Sequence, residues 1–522
     1  MAHRRYLLSV DLGTSGAKAG IFSRDGQLVS LAQKEYQFNH PTAGWSEIDP
    51  DEVWRKAKTV IKQAVSKSGI NGKEIAALGL SVLGETGLPV DESGNPLYPA
   101  IESMDQREGA YQKYVSWFDE TFGAADIFKR TSYPLNSLPP AHKILYFRDH
   151  KPEIFKRIAK YVTFQDFVIW KLCGKPAMDY SMASRTMLFD VRQKQWIYEY
   201  LDKMGVSRDI FSSAFESSCP VGQLKESVAI ELGLPPGMLI VPGAHDQSCA
   251  AFGVGVVKEG IASDGTGSVE AIATATKTPI DSLEMLSFGQ GSQCHVSADL
   301  YLALGFHLTA GSLIRWYRDQ LCRWEKDKAN EINTDTYDLI TQEAEKSPPG
   351  AKGLLVFPHW IGAGTGRQPP LNSLSRGAMF GLSLMHSKAD LDRAIFEGIT
   401  YEARYLIESL ESTGISIEEL VVTGGGAKSN FWLQLKADIT GKRIVVPKVT
   451  EASLLGAAML AGVGAGIYPD LESAVEQACR TVRTFEPDNE KKSTYDHIYD
   501  IYRDVYQAII NISGRLVQFA MK

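Results

Sequence analysis

The stretch Tyr6-Leu-Leu-Ser-Val-Asp-Leu-Gly-Thr-Ser-Gly-Ala-Lys18 decides how this chain folds. Tyr6–Val10 is mostly apolar, with an aromatic start and a β-branched end, and reads as a buried strand cut off by Asp11 and Gly13. A second strand over Ala17–Phe22 follows almost at once, so Leu12–Gly16 is expected to be a tight hairpin turn. Such a turn presents successive backbone N–H groups, a concavity suited to phosphate oxygens. Gly13 and Gly16 let that backbone approach a ligand closely, Thr14 and Ser15 add hydroxyl donors, and Lys18 adds a positive charge. Asp11, at the strand end, is placed to hold a hydrated Mg²⁺ beside the phosphates. Taken by itself, Asp-x-Gly-Thr makes only a hairpin, so the rest of the chain has to decide.

The theme returns at Asp264-Gly-Thr-Gly-Ser268, between an expected strand at Ile261–Ser263 and another at Val269–Ala273. Here Gly265, Thr266 and Gly267 stand where Gly13, Thr14 and Ser15 stand in the first turn. A third glycine turn, Gly424-Gly-Gly-Ala-Lys-Ser-Asn430, follows a strand at Leu420–Thr423 and opens a helix at Phe431–Thr440. Two strand–turn–strand phosphate loops suggest two related halves facing one nucleotide. With these three motifs the chain resembles the sugar kinase/actin/heat-shock ATPase superfamily, and in detail the FGGY carbohydrate kinases, over nearly the whole 522 residues. The most specific match is Gly377-x-Met-x-Gly-Leu382, seven residues, then Asp390-Leu-x-x-Ala-Ile-Phe-Glu397, which fits the family's second signature. Leu83, Gly84, Ser103, Leu138 and Tyr146 depart from residues that family members often carry.

The resemblance implies an α/β fold of two ribonuclease H-like (actin-like ATPase) domains around a central nucleotide and substrate cleft. The N-terminal domain would span 1–252 and the C-terminal domain 253–522. It also implies roles for particular residues. Asp246, at the end of a strand over Leu239–Gly243, falls where the family has its general base; a strand's carboxyl end beside the crevice is where doubly wound folds place chemistry. Glu85, in Gly84-Glu-Thr-Gly87, falls where glycerol kinases bind a hydroxyl, and a carboxylate can accept two sugar O–H bonds. Asp105 and Arg107 are further substrate candidates, with a surface ion pair as the competing reading, and Gln247 is placed to hydrogen-bond the sugar. Gly311, Gly425, Gly426, Ala427 and Asn430 are expected along the nucleotide. His245 is a tempting alternative base, but a lone histidine beside a glycine turn is more often structural.

Composition narrows the partners. The net charge of −7 argues against nucleic acid or an anionic membrane. No 18-residue apolar run occurs, and the run after Met1 is broken by Asp11, so neither a membrane span nor a leader is expected. The six cysteines are scattered without C-x-x-C, as in a reducing cytoplasm. Gly362-Ala-Gly-Thr-Gly366 runs toward Pro369-Pro370 rather than into a helix, so it is not a dinucleotide fingerprint. Residues 110 to 230 read as mostly helical, and everything after Gly466 reads as helices. The last of these, over Tyr495–Phe519, carries an apolar stripe suited to packing or to a homodimer.

These observations lead to an ATP- and Mg²⁺-dependent kinase of a small sugar, with a ketopentose such as xylulose as first choice. Glycerol or a tetritol such as erythritol, and a sugar acid such as gluconate, are the alternatives. A non-sugar actin-like ATPase is the competing class, told apart by whether ATP turnover depends on added sugar.

Overall fold

Two sheets of the same design lie side by side in the computed structural model, which describes residues 5–367 and 372–520. Pro369 and Pro370 lie outside the described residues. In the first sheet, strands β1 (Tyr6–Leu12), β2 (Gly16–Ser23) and β3 (Leu28–Glu35) form an antiparallel meander. Helix α1 (Pro50–Ser68) follows, then β4 (Ile75–Val82) and, much later, β5 (Leu239–His245). The last two strands run parallel beside β1, giving the order β3-β2-β1-β4-β5, with a two-residue edge at Gly222–Gln223. Every residue of β4 is buried, as expected of a central parallel strand covered on both faces.

The meander is fixed locally. Leu12 pairs with Ala17, so the first loop is the tight hairpin that its glycines imply. Asp49 caps α1 through the Asp51 N–H, with Pro50 at the first helical position. Val53, Ala57, Val60, Ile61 and Ala64 then bury one face of that helix at three-four spacing.

Helix α2 (Asp246–Gly253) leaves β5 and leads into the second sheet. That sheet contains β6 (Gly260–Thr266), β7 (Glu270–Thr276), β8 (Gly291–Cys294) and β9 (Tyr301–His307). Helices α3 (Gly311–Leu321) and α4 (Lys388–Glu411) come next. Then follow β10 (Ile417–Gly424), α5 (Asn430–Thr440), β11 (Arg443–Pro447), α6 (Ala452–Gly464), β12 (Thr481–Phe485) and α7 (Asn489–Ala520). The strand order is β8-β9-β7-β6-β10-β11-β12. Without its two edge strands it repeats the first sheet: β6, β7 and β9 take the places of β1, β2 and β3, and β10 and β11 those of β4 and β5.

The halves exchange cover. Leu454, Leu455, Ala457 and Ala458 of α6 pack with Leu7, Phe22, Ala77 and Val241 of the N-terminal sheet. Ala251 of α2, with Val254 and Val256, packs with Ala273, Ala275, Leu302 and Val421 of the C-terminal one. The two helices meet backbone to backbone. A Cβ on Gly456 would stand 1.9 Å from the Cys249 carbonyl oxygen, and one on Gly253 would stand 2.0 Å from that of Ala452.

Two sequence expectations need correction. The segment between 110 and 230 does carry helices, but short strands at Lys160–Thr163, Ala177–Asp179 and Ser213–Phe215 interrupt them. The region after Gly466 is not all helical either, because Thr481–Phe485 pairs antiparallel with β11 at the sheet edge. That strand is exposed or half-buried throughout, so it lacks the apolar run that marks a strand in sequence.

Candidate active site

The end of β1 and the end of β5 place Asp11 and Asp246 close enough for the Asp11 charge to act on Asp246. The Asp11 carboxylate accepts from Ser81 Oγ at 2.6 Å, and Ser81 is its register partner on β4. Burial raises its pKa, while the Ser81 hydroxyl and the Lys18 charge partly offset this. Behind the first turn, the Tyr36 hydroxyl donates to the Gly13 carbonyl at 2.6 Å, bracing the loop from below. Thr14 and Ser15 are exposed at its tip. Lys18 does not reach freely over that turn: its ammonium is 2.7 Å from Glu451, at the start of α6 in the other half.

Asp246 is partly exposed, with 30% of its side chain accessible, whereas His245 beside it is buried. His245 Nε2 lies 3.1 Å from Asp246 Oδ1. Burial, and next the Asp11 charge, push the Asp246 carboxyl up to about 7. Burial and the nearby Arg185 guanidinium hold His245 down at about 3, so its ring is neutral. Gln247, next in α2, is half-buried.

Glu85 sits just past β4 with a positive φ of 56°, a backbone conformation that a non-glycine residue seldom adopts. Its buried carboxylate accepts from the Tyr133 hydroxyl at 3.0 Å and is paired with Arg185. Burial opposes the charge, but Arg185, helped by the Tyr133 hydroxyl, holds the carboxyl below its usual range. Arg185 also stacks on Tyr133, 4.6 Å from the ring centre. Lys143 donates to the Glu85 carbonyl at 2.7 Å, and burial lowers its ammonium to about 8. Tyr133, Asn136 and Arg185 line a pocket closed from the other half by Gln293, Phe306 and Thr365.

Asp105 and Arg107 form neither a surface pair nor a free donor set. Both are buried, with the guanidinium Nε 2.8 Å from Asp105 and Nη2 2.9 Å from Glu47. Asp105 also accepts from the Ser46 N–H at 2.6 Å. Trp45 covers Arg107, with its ring centre 4.3 Å away. One guanidinium nitrogen, Nη1, is buried without a partner.

The second loop is built differently from the first. Gly267, Ser268 and Val269 are exposed at its tip, but the Thr266 hydroxyl turns inward. It donates to Asp264 at 2.9 Å and accepts from Lys436 of α5 at 2.9 Å. The same ammonium pairs with Asp264 and Glu270, all of them buried. Burial, reinforced by the Glu270 charge, raises Asp264; Lys436 and His307 hold Glu270 low against its own burial. The backbone of this turn and the exposed Ser268 are left for a ligand. Gly311 opens α3 directly over it, its N–H 2.9 Å from the Gly267 carbonyl, where a Cβ would come within 2.6 Å.

The third turn closes on the second. A Cβ on Gly424 would stand 2.5 Å from the Thr266 carbonyl oxygen, and one on Gly426 would stand 2.7 Å from its Cγ2. Gly425 is exposed; Ala427 is buried, and its carbonyl and the Asn430 side chain are both bonded to Arg483. Tyr133, Arg185, Gln293, Lys436 and Glu451 therefore join the site although the sequence did not mark them.

Among the described residues no group of three or more His, Cys, Asp or Glu side chains could hold a metal, and no helix is long and apolar enough to cross a membrane. Comparison with known proteins gives the following. The family model for the FGGY family of carbohydrate kinases, N-terminal domain, matches residues 6–253, and the one for the C-terminal domain matches residues 260–465. The chain is 29% identical to a xylulose kinase of Bacillus subtilis over 519 residues, covering 99% of each. It is 31% identical to a glycerol kinase of Alkaliphilus oremlandii, over 94% of this chain and 95% of that one. In structure it resembles a xylulose kinase from Lactobacillus acidophilus, with a TM-score of 0.88 at 23% identity over 98% and 99% of the two chains.

Proposed function

Because the chain belongs to the FGGY family of carbohydrate kinases, an enzyme family that transfers a phosphoryl group from ATP to an alcohol, we propose that it phosphorylates an uncharged sugar, a ketopentose such as xylulose in the first place. The observation that carries this reading is the Asp246 carboxylate, partly open to solvent at the end of β5, with one oxygen 3.1 Å from His245 Nε2. Asp246 would take the proton of the attacking hydroxyl while that oxygen bonds to the γ-phosphorus and the bond to the β–γ bridging oxygen breaks. The backbone N–H groups at Gly13–Ser15 and Gly265–Ser268 would hold the phosphates, with Gly425, Gly426, Ala427 and Asn430 on the adenosine side.

Asp11 offers hard oxygen at a strand end, and Mg²⁺ is commonly bound by one or two carboxylates plus water and substrate phosphates, so the donor set fits. When bound there, the ion would neutralise phosphate charge. The halves would close over the pocket and exclude water, a competing acceptor. Six free cysteines support a reducing, cytoplasmic setting.

The charge balance favours a neutral substrate over a sugar acid. The charge of Arg185 is already matched by Glu85, and that of Arg107 by Asp105 and Glu47, so neither offers a surplus positive charge to a carboxylate. Coupled ADP release with Mg-ATP against ketoses, polyols and aldonic acids tests this. Stimulation by a ketose is expected, and stimulation by an aldonic acid alone would overturn the neutral-substrate reading. ATP hydrolysis indifferent to every sugar would overturn the base at Asp246.

Two further results are expected. Since a base must be ionised, kcat/KM for the sugar should fall on the acid side with a midpoint near 7, where burial holds Asp246. A profile flat from about pH 5 to 8 contradicts that assignment. Gly311→Ala, with no room above the Gly267 carbonyl, should push α3 off the second loop. At about 1–3 kcal/mol of overpacking this raises KM for ATP roughly tenfold and leaves KM for the sugar unchanged; equal shifts in both would count against a nucleotide site there.

A further inference from the structure

Gln293 belongs to β8, the edge strand of the C-terminal sheet, yet its side chain is buried against the N-terminal half. Its amide nitrogen lies 3.0 Å from His245 Nδ1 and 2.6 Å from Ser248 Oγ. An amide NH₂ group only donates, so Nδ1 must accept, and a neutral imidazole then carries its proton on Nε2. That Nε2 lies 3.1 Å from Asp246 Oδ1. The opposite amide orientation would leave a bare Nε2 facing a carboxylate oxygen, two acceptors in repulsion. Gly84 leaves space for the ring: a Cβ there would lie 2.8 Å from His245 Nε2. The His245 N–H is in turn fixed by Ser181 Oγ at 2.9 Å.

β8 joins the two halves. One edge pairs with β9. The other bonds to the N-terminal half, with Ser292 N–H 3.0 Å from the Ser132 carbonyl and Cys294 N–H 3.1 Å from Ser184 Oγ. Gly291 allows the approach, since a Cβ there would stand 2.0 Å from the Ser132 carbonyl. Gln293 thus reaches His245 only while the C-terminal sheet is docked.

We propose that Gln293 is a positioning residue: reaching across from the C-terminal half, it fixes the tautomer of His245 so that a protonated Nε2, and not a bare one, stands 3.1 Å from Asp246. This ties the readiness of the base to the docking of the two halves, and it rests on reading Asp246 as the base.

The test combines spectroscopy and kinetics on the full chain. In ¹⁵N-histidine-labelled protein, with His245 assigned by its loss in His245→Gln, the ring should carry its proton on Nε2. Gln293→Glu puts an acceptor opposite Nδ1 and should draw the proton there; Gln293→Met removes the donor with little change in size. Each should lower kcat about ten- to hundredfold, the scale of one hydrogen bond to a charged group, while KM for ATP stays within about twofold. Ser184→Ala, which removes the docking bond to the Cys294 N–H and keeps Gln293, should change neither the tautomer nor kcat.

A proton found on Nδ1 in the unmodified protein overturns the proposal, even if both Gln293 variants fail to fold. So does an unchanged kcat in Gln293→Met, or an equal loss in Ser184→Ala, which would make the effect one of loosened docking. An Asp246→Asn enzyme that keeps its turnover would remove the base assignment and leave the tautomer result standing, so the two failures are told apart.

Discussion

Asp246→Asn should reduce sugar-dependent ADP formation by about 10²–10⁴-fold, the range expected when a positioned general base is lost. The substitution keeps the shape of the side chain and its place beside His245. What it removes is a group able to hold the proton of the attacking hydroxyl. KM for sugar and ATP should change little, because the acceptor pocket at Glu85, Tyr133 and Arg185 is untouched. Stability gives a control with a definite sign. The folded enzyme holds Asp246 at about 7, above the ordinary carboxylate value of 3.8, so the native state binds the extra proton between these values. Its contribution to stability is therefore present below the lower value and lost as pH rises through the upper one. At pH 8 the asparagine variant should melt at or above the unmodified enzyme, which separates lost chemistry from lost folding. Turnover within tenfold of normal would sink the assignment.

Lys436→Met should have the largest effect on stability. Lys436 is the shared counterion of Asp264 and Glu270, and all three are buried. Methionine fills the space and leaves two carboxylates facing each other. Breaking such a buried pair costs about 3–5 kcal/mol. For a half of this size that is roughly 10 °C in melting temperature, so a change under about 2 °C would overturn the role given to Lys436. The loss should shrink from pH 8 to pH 5, because without the ammonium Asp264, raised by burial and by the Glu270 charge, regains stability on protonation. Glu270→Gln added to Lys436→Met should recover part of it. ATP affinity should fall as well, since the same ammonium holds the Thr266 hydroxyl inside the second loop.

That hydroxyl marks where the sequence stopped being informative. Thr266 and Thr14 occupy the same place in two similar motifs, and both read as phosphate donors. One is exposed, and the other is turned into the core by a lysine 170 positions further on. The strands around both loops were legible because apolar runs broken by glycine are local signals. So was the strand leading to Asp246. Tyr133, Arg185 and Gln293 were not legible, because each reaches the site from a distant segment. Arg185 meets Glu85 across 100 positions and Gln293 meets His245 across 48. Asp105 and Arg107 show the converse. Their spacing suggested a pair, and only the fold reveals that Glu47 and Trp45 bury it.

The exchange of helices between the halves bears on how the chain is made. A ribosome releases the N-terminal sheet first, with Leu7, Phe22, Ala77 and Val241 on the face that α6 covers. That cover ends at Gly464, roughly 200 residues after α2 has emerged. At about 5–20 residues per second the nascent sheet waits roughly 10–40 s with an apolar face open to water. During that interval the newborn polypeptide is a natural client for a holdase chaperone, and a stalled or truncated product ending before residue 452 would be left as one.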